Sequence, residues 1–533
     1  MVGRAERGGG NRYALPVTRP AIALLLLAPS LGCPRPAWPA DTVVLLVESP
    51  PETLDRRLAL SAVAENVAGL LEPGLLRIAD DGRPVPDLAE SYEQTDPITY
   101  LFTLRRGLRF SDGSPLVAAD VAATFESLLS PRLASPLAAK FSALSKVEAL
   151  DDLHVRVRLR APLAPFLAEM TMGIVPARRQ AAPGETGFGR RPAGAGPFRF
   201  VSWPDEEHLL LQANPNYYAG APPIRHLLVE TVRDETTRAL ALESGHADIA
   251  VNAISPPLLA RLASVPGIAV LRRPGAGTAY LMFRMDDPRL SHRKVREAIA
   301  CAIDRQALVR YKLLGYGEVA DSLLPPQSWA HGPPRPRPGR DLARAQALLD
   351  EAGFPRGPDG FRFTLGLKTS TDRFRRSVAA AIAQELSEAG IRVRQEPLEF
   401  GTFFSDIRRG EFQIAAMKWV PILEPDLLYW VFDSASIPAA ANGFTGFDRE
   451  GYRDPVLDGI LEAARTAPTR RERAADYARA QDILARDLPY FVLWYEDSVA
   501  VVRDDIEGFR PSPFGFFDGL ATARRVVPPG RER

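Results

Sequence analysis

Between Leu342 and Glu396 the chain alternates two helical patterns with two short apolar runs, and a glycine closes each helix. The spacing predicts a helix over 342–352 stopped by Gly353, a strand over 361–367, a helix over 373–389 stopped by Gly390 and a strand over 391–396. Strands joined through a helix pair in parallel by a right-handed crossover, so this stretch sets the fold class as α/β. The run Asp41–Ser49 (DTVVLLVES) agrees, because an apolar run without alternation is the pattern of a strand buried on both faces.

Elsewhere, strands are predicted over 100–104, 155–159, 198–203, 208–212, 227–232 and 280–283. The 198–203 and 208–212 pair reads as antiparallel. Asp112-Gly113 marks a hairpin-type turn, and from Ala119 a helix places Val121, Phe125 and Leu128 on one face. A helix over 234–244 stops at Gly245, and a single long helix is predicted over 294–314 with Gly315 past its end. The Gly/Pro/Ala-rich stretch 180–196 reads as a crossover between domains, and 331–340 (HGPPRPRPGR) as a loop.

The chain has 533 residues, enough for two to four domains with large cores. With 66 Lys+Arg against 65 Asp+Glu, it has no basic surplus to neutralise phosphates, which argues against a nucleic-acid partner. Only Cys33 and Cys301 are present, so a disulfide scaffold is excluded, and Cys301 reads as a small core residue of its helix.

The amino terminus reads as an address. Arg4, Arg7, Arg12 and Arg19 precede the apolar run Ala21–Ala28, which is a signal-peptide pattern and too short for a spanning helix of about 20 residues. Ser30-Leu31-Gly32-Cys33 resembles a bacterial lipobox, with Ser30 where leucine is usual. Lipidation of Cys33 would leave Pro34–Ala40 as a short tether, so that residues 1–40 are signal and tether. The alternative is cleavage near Ala40 by the ordinary peptidase, although Trp38 would then occupy a position that wants a small residue.

The sequence offers no catalytic apparatus and no cofactor site. None of the six histidines has zinc-ligand spacing, and no nucleophile elbow, P-loop or EF-hand pattern occurs. Gly194-Ala195-Gly196-Pro197 lacks the third glycine and the following helix of a dinucleotide loop.

A series of short motifs does occur in one order. It comprises Leu71-Glu72-Pro73-Gly74-Leu75, Pro86-Asp87-Leu88-Ala89-Glu90-Ser91, Phe102-Thr103-Leu104-Arg105 and Phe110–Pro115 with Ala119-Asp120-Val121. Gly194–Phe198, Asn214–Tyr218, Leu242–Gly245 with Asp248-Ile249, Val295–Ile299 with Ile303-Asp304-Arg305, and Leu488-Pro489 follow. The series resembles the extracellular solute-binding proteins of family 5, the peptide- and nickel-binding components of ABC importers. The resemblance implies a two-lobed periplasmic-binding-protein-like fold (class II type) with an extra third domain. Lobe I would comprise 41–74, 194–274 and 497–533, the extra domain 75–193, and lobe II 275–496. It also implies capture of an oligopeptide or similar solute by closure between the lobes, and delivery to an ABC permease in the inner membrane. The expected protein is a periplasmic or cell-surface monomer that touches the membrane only through its lipid anchor. A periplasmic sensor that passes ligand occupancy to a membrane receptor is the alternative.

In peptide-binding members of the family, a Trp is followed three residues on by an Asp that pairs with the peptide's α-ammonium, and then by Asp-Pro or Glu-Pro. Here Trp419 and Glu424-Pro425 match, but the spacing is one residue shorter and Ile422 stands where the Asp belongs. Either Glu424 or Asp426 takes that role, or the ligand has no free amino end; the second is favoured. The resemblance also places Tyr280, Ser61 and Arg284 at the cleft. Arg284 stands where the family has Asn, and either attracts an anionic group or is paired structurally.

Overall fold

The computed structural model describes residues 38–39, 41–179, 188–335, 339–419, 421–439 and 446–526. Cys33 and the tether before Trp38 lie outside the described residues. The strand predicted at 41–49 is Thr42–Val47, buried along nearly its whole length. It pairs in parallel with His226–Thr231 and with Ile249–Val251. The crossover predicted at 361–396 forms Phe363–Ser370, the helix Arg373–Glu388 and Ile391–Leu398, the two strands parallel from Phe363↔Ile391 onward.

All of these strands belong to one 11-stranded sheet. From one edge its order is Ile391–Leu398, Phe363–Ser370, Ile414–Trp419, Ile268–Phe283, Tyr490–Arg503, Ile249–Val251, Thr42–Val47, His226–Thr231, His208–Ala213 and Phe198–Ser202, with Gly317–Val319 beside Tyr490–Arg503. The two central strands, of 16 and 14 residues, are long enough to run from one half of the molecule into the other. A strand had been expected only over 280–283. The extra length, starting at Ile268, was hidden by Pro274, Gly275 and Gly277, which punctuate a sequence but here sit at a slip in register opposite Asp497 and Glu496. Gly275 is required there, because a Cβ would collide with the Glu496 carbonyl oxygen.

The apolar residues gather on either side of this crossing. In one half, Val43, Leu45, Leu227 and Val229 pack with Phe509 and Phe517 from the carboxyl-terminal segment. In the other, Leu281, Phe283, Ile299, Leu365 and Ile382 pack on one face of the sheet, and Tyr280, Phe403, Phe432, Tyr477 and Tyr490 on the opposite face. A separate four-stranded antiparallel sheet, ordered Ala89–Asp96, Thr99–Leu104, His154–Leu159 and Leu144–Ala149, has its own core around Phe102, Phe110, Phe125 and Phe141. We call these the first lobe, the second lobe and the lateral domain.

The single helix expected over 294–314 is two, Arg293–Ala302 and Arg305–Tyr311. Ile303 turns extended, and the Asp304 carboxylate accepts the Ala307 amide at 2.9 Å, so an N-cap starts a new helix where periodicity alone continues the old one. Cys301 is half-buried and packs against the second-lobe core.

Candidate functional site

The strand Ile414–Trp419 leads into the loop that carries the Trp and Glu-Pro motif, and this loop runs from the lobe crossing to the lateral domain. Trp419 pairs in register with Thr278 and packs against the second-lobe core. Its indole N–H is buried and meets no acceptor among the described residues. Ile422 is 4% exposed, and its amide donates to the Ala276 carbonyl at 2.9 Å, which ties the loop to the crossing strand. Leu423 then joins Ile78, Ala276, Phe514 and Phe516 in a small apolar cluster where the lateral domain, the crossing strand and the carboxyl-terminal segment meet.

The two acidic residues beyond are both matched by arginine. Glu424 pairs with Arg473, which also donates to the Ala464 carbonyl at 3.1 Å and to the Tyr477 hydroxyl at 3.2 Å. Burial pushes the Glu424 carboxyl up to about 7, against the pull of Arg473. Asp426 lies 3.0 Å from the Arg465 guanidinium, and burial lifts its carboxyl to about 6. Arg465 in turn lies 3.9 Å from the centre of the Tyr429 ring, and its backbone carbonyl accepts the Ala164 amide of the lateral domain at 2.8 Å.

Glu424 and Arg473 lie on the wall of a cavity of about 760 Å³ between the lateral domain and the second lobe. Arg83, Tyr92 and Tyr100 stand on one side, and Trp329 and Arg470 on the other. That volume falls within the range of small-molecule pockets. Among the described residues no group of three or more His, Cys, Asp or Glu side chains is arranged to hold a metal ion.

The remaining expected site residues lie elsewhere. Tyr280 is 1% exposed and stacked on Tyr490 with ring centres 4.3 Å apart, so it is a core residue that presents no surface to a solute. Arg284 makes two bonds to Asp286, each 2.6 Å, and one to the Arg449 carbonyl at 2.7 Å. It stands just past the end of the crossing strand remote from the lobe junction, as a structurally paired arginine. Ser61 caps the helix Ala62–Gly69, accepting the Ala64 amide at 3.1 Å while its hydroxyl donates to Glu52 at 2.5 Å. Sequence reasoning missed Arg465, Arg470, Arg473 and Trp329. The only signal was the arginine-rich start of the helix Arg470–Asp487, which reads as an ordinary solvated face.

Two lobes joined by continuous crossing strands, a lateral domain and a solute-sized cavity beside the motif loop define a two-lobed binding protein. The model of the bacterial extracellular solute-binding proteins, family 5 (middle region), matches residues 83–438. The chain belongs to that family. It is 30% identical over 519 residues to Protein XP55 of Streptomyces lividans, covering 93% of this chain and 92% of that one. It is 28% identical over 518 residues to the glutathione-binding protein GsiB of Salmonella choleraesuis, covering 94% and 98%. Among solved structures, that of NikZ from Campylobacter jejuni in complex with Ni(L-His) superposes with a TM-score of 0.80 at 26% identity, covering 92% of this chain and all of the other.

Proposed function

We propose that this protein captures a polar, peptide-like solute without a free α-ammonium group and delivers it to the permease of an ABC importer. Membership of family 5 and relatives named for glutathione support solute capture and delivery. The observation that carries the finer reading is the state of the motif loop. Ile422 fills the position expected of an aspartate and is buried, while the two neighbouring carboxylates, Glu424 and Asp426, already face Arg473 and Arg465. A charge-assisted bond to an ammonium contributes roughly 1.5–3 kcal/mol, and none of these three side chains is free to make one.

The ligand residues of this reading are Trp419 and the cavity wall around Glu424. Lobe I comprises 41–74, 194–274 and 497–533, the lateral domain 75–193 and lobe II 275–496; the register slip at Pro274–Gly277 supports the boundary at the crossing. The protein acts by binding alone, as a monomer outside the cytoplasmic membrane, held there by lipid on Cys33. Intact mass of the mature chain tests the anchor: an unmodified chain starting at Asp41 excludes it. Calorimetry with trialanine and N-acetyl-trialanine tests the solute. The acetylated peptide is expected to bind at least as tightly, and a clear preference for the free amine overturns the reading.

A further inference from the structure

The cavity between the lateral domain and the second lobe is lined by several charged side chains. Its wall carries Arg83, Arg470 and Arg473 against Asp96 and Glu424. Arg473 is matched by Glu424, and Arg83 by Asp81 at 2.5 Å. No carboxylate lies within ion-pair distance of Arg470 among the described residues. Its guanidinium sits 4.7 Å from the centre of the Trp329 ring, with Arg473 5.0 Å from the same ring. Two guanidiniums on one indole repel each other, and the indole quadrupole holds the exposed Arg470 only weakly. Partial burial and the nearby charges of Arg83 and Arg473 lower the affinity of Arg470 for its proton, against the opposing pull of Asp81 and Glu424. With Arg473 matched by Glu424 and Arg83 by Asp81, Arg470 is left as the guanidinium of this wall without a carboxylate in ion-pair contact among the described residues, and a planar guanidinium in that state is suited to a two-pronged contact with an oxyanion.

We propose that this cavity receives an anionic group of the transported solute, a carboxylate or a phosphate, and that Arg470 is its principal contact. This deepens the proposed function and rests on it: the solute lacks a positive amino end and carries a negative group toward the lateral domain.

The test is calorimetry of the purified full chain with three amino-blocked probes: N-acetyl-trialanine, its carboxyl-terminal amide, and N-acetyl-dialanyl-phosphoserine amide. The wild type is expected to bind the carboxylate or the phosphate probe about tenfold or more tighter than the neutral amide. The stronger of the two charged probes identifies the group. In Arg470→Gln the preference is expected to shrink to about twofold, and in Arg470→Lys part of it is expected to return, since the charge stays and the fork is lost. Equal binding of amide and acid by the wild type overturns the proposal, as does an undiminished preference in Arg470→Gln. So does failure of both charged probes to bind at about 1 mM. Unblocked trialanine keeps the two readings apart. If it binds more tightly than its acetylated form while the acid–amide preference persists, the reading of the amino end fails and the anion site stands.

Discussion

Two regions of the second lobe bury pairs of carboxylates, and they do so differently. In the motif loop, Glu424 and Asp426 each face an arginine, and burial lifts them to about 7 and about 6. In the interior, Asp448 and Glu450 lie fully buried beside the Tyr280–Tyr490 stack. Arg449 stands between them in sequence, yet its guanidinium lies over the rings of Phe404 and Phe447, 4.7 and 5.2 Å away. The Asp448 carboxyl accepts the Gly451 and Tyr452 amides at 2.8 and 3.1 Å, whereas the Glu450 carboxyl has no such close amide and only the Tyr490 hydroxyl beside it. Burial here pushes Asp448 up to about 8 and Glu450 well above the ordinary carboxylate range. An arginine partner thus offsets part of the cost of burial at the domain junction. In the core, proton uptake replaces it.

Removing the arginine should make the first region behave like the second. Arg473→Met leaves Glu424 without its counter-charge, and the Tyr477 hydroxyl and Ala464 carbonyl without a donor. Breaking a buried pair from one side costs about 3–5 kcal/mol, to be read as a drop in the urea midpoint at unchanged slope. Adding Glu424→Gln should recover about half of that loss, because the uncompensated charge is then gone. If the double variant is no more stable than Arg473→Met, Glu424 takes up a proton once its arginine is gone, as the core pair does, and the loss is that of the other bonds of Arg473.

The second region predicts a pH dependence of definite sign. Asp448 has a folded-state value raised to about 8 from an ordinary 3.8, so its contribution is fully present below about pH 4 and is lost as pH rises through about 8. Glu450 acts in the same direction. Wild-type stability should therefore decline from mildly acidic to mildly basic pH by on the order of 2 kcal/mol, and Asp448→Asn should flatten that decline. A profile identical in both proteins would mean that Asp448 is ionised in the fold.

The sequence made legible those parts in which local chemistry and tertiary packing agree. The strands Phe363–Ser370 and Ile391–Leu398 are apolar runs bounded by glycine-stopped helices, so both their type and their parallel pairing could be read. The strand Ala89–Asp96 escaped notice because it is the edge of the lateral sheet, where six of the seven residues after Ala89 are exposed and no alternation survives past that point. The candidate site was legible as far as its motif reaches: the resemblance singles out Trp419, Glu424 and Asp426, and the absence of an acid at Ile422 is plain. Arg473 lies 49 residues beyond Glu424, and nothing in a helix that opens Arg470-Arg471-Glu472-Arg473 tells which arginine turns inward. Tyr280 shows the reverse error, since its strand position was correct but alternation alone does not tell a cleft-facing side chain from one facing a helix layer.

The smallest predicted effect on stability is also the sharpest test of the motif loop. The Trp419 indole N–H is buried without an acceptor among the described residues, a state that costs about 1–3 kcal/mol if nothing supplies one. Trp419→Phe removes that donor while keeping an aromatic ring against the second-lobe core, so the ligand-free protein should melt within about 0.5 kcal/mol of wild type or slightly above it. If the donor serves the solute, the same variant should bind N-acetyl-trialanine about fivefold or more weakly, by loss of one hydrogen bond in a dry site. Equal affinity with unchanged stability would make Trp419 a packing residue only. Lower stability with unchanged affinity would place the value of the indole in its fit to the core. Only weaker binding at unchanged stability makes the loop a receptor for the solute's acceptor groups rather than for its amino end.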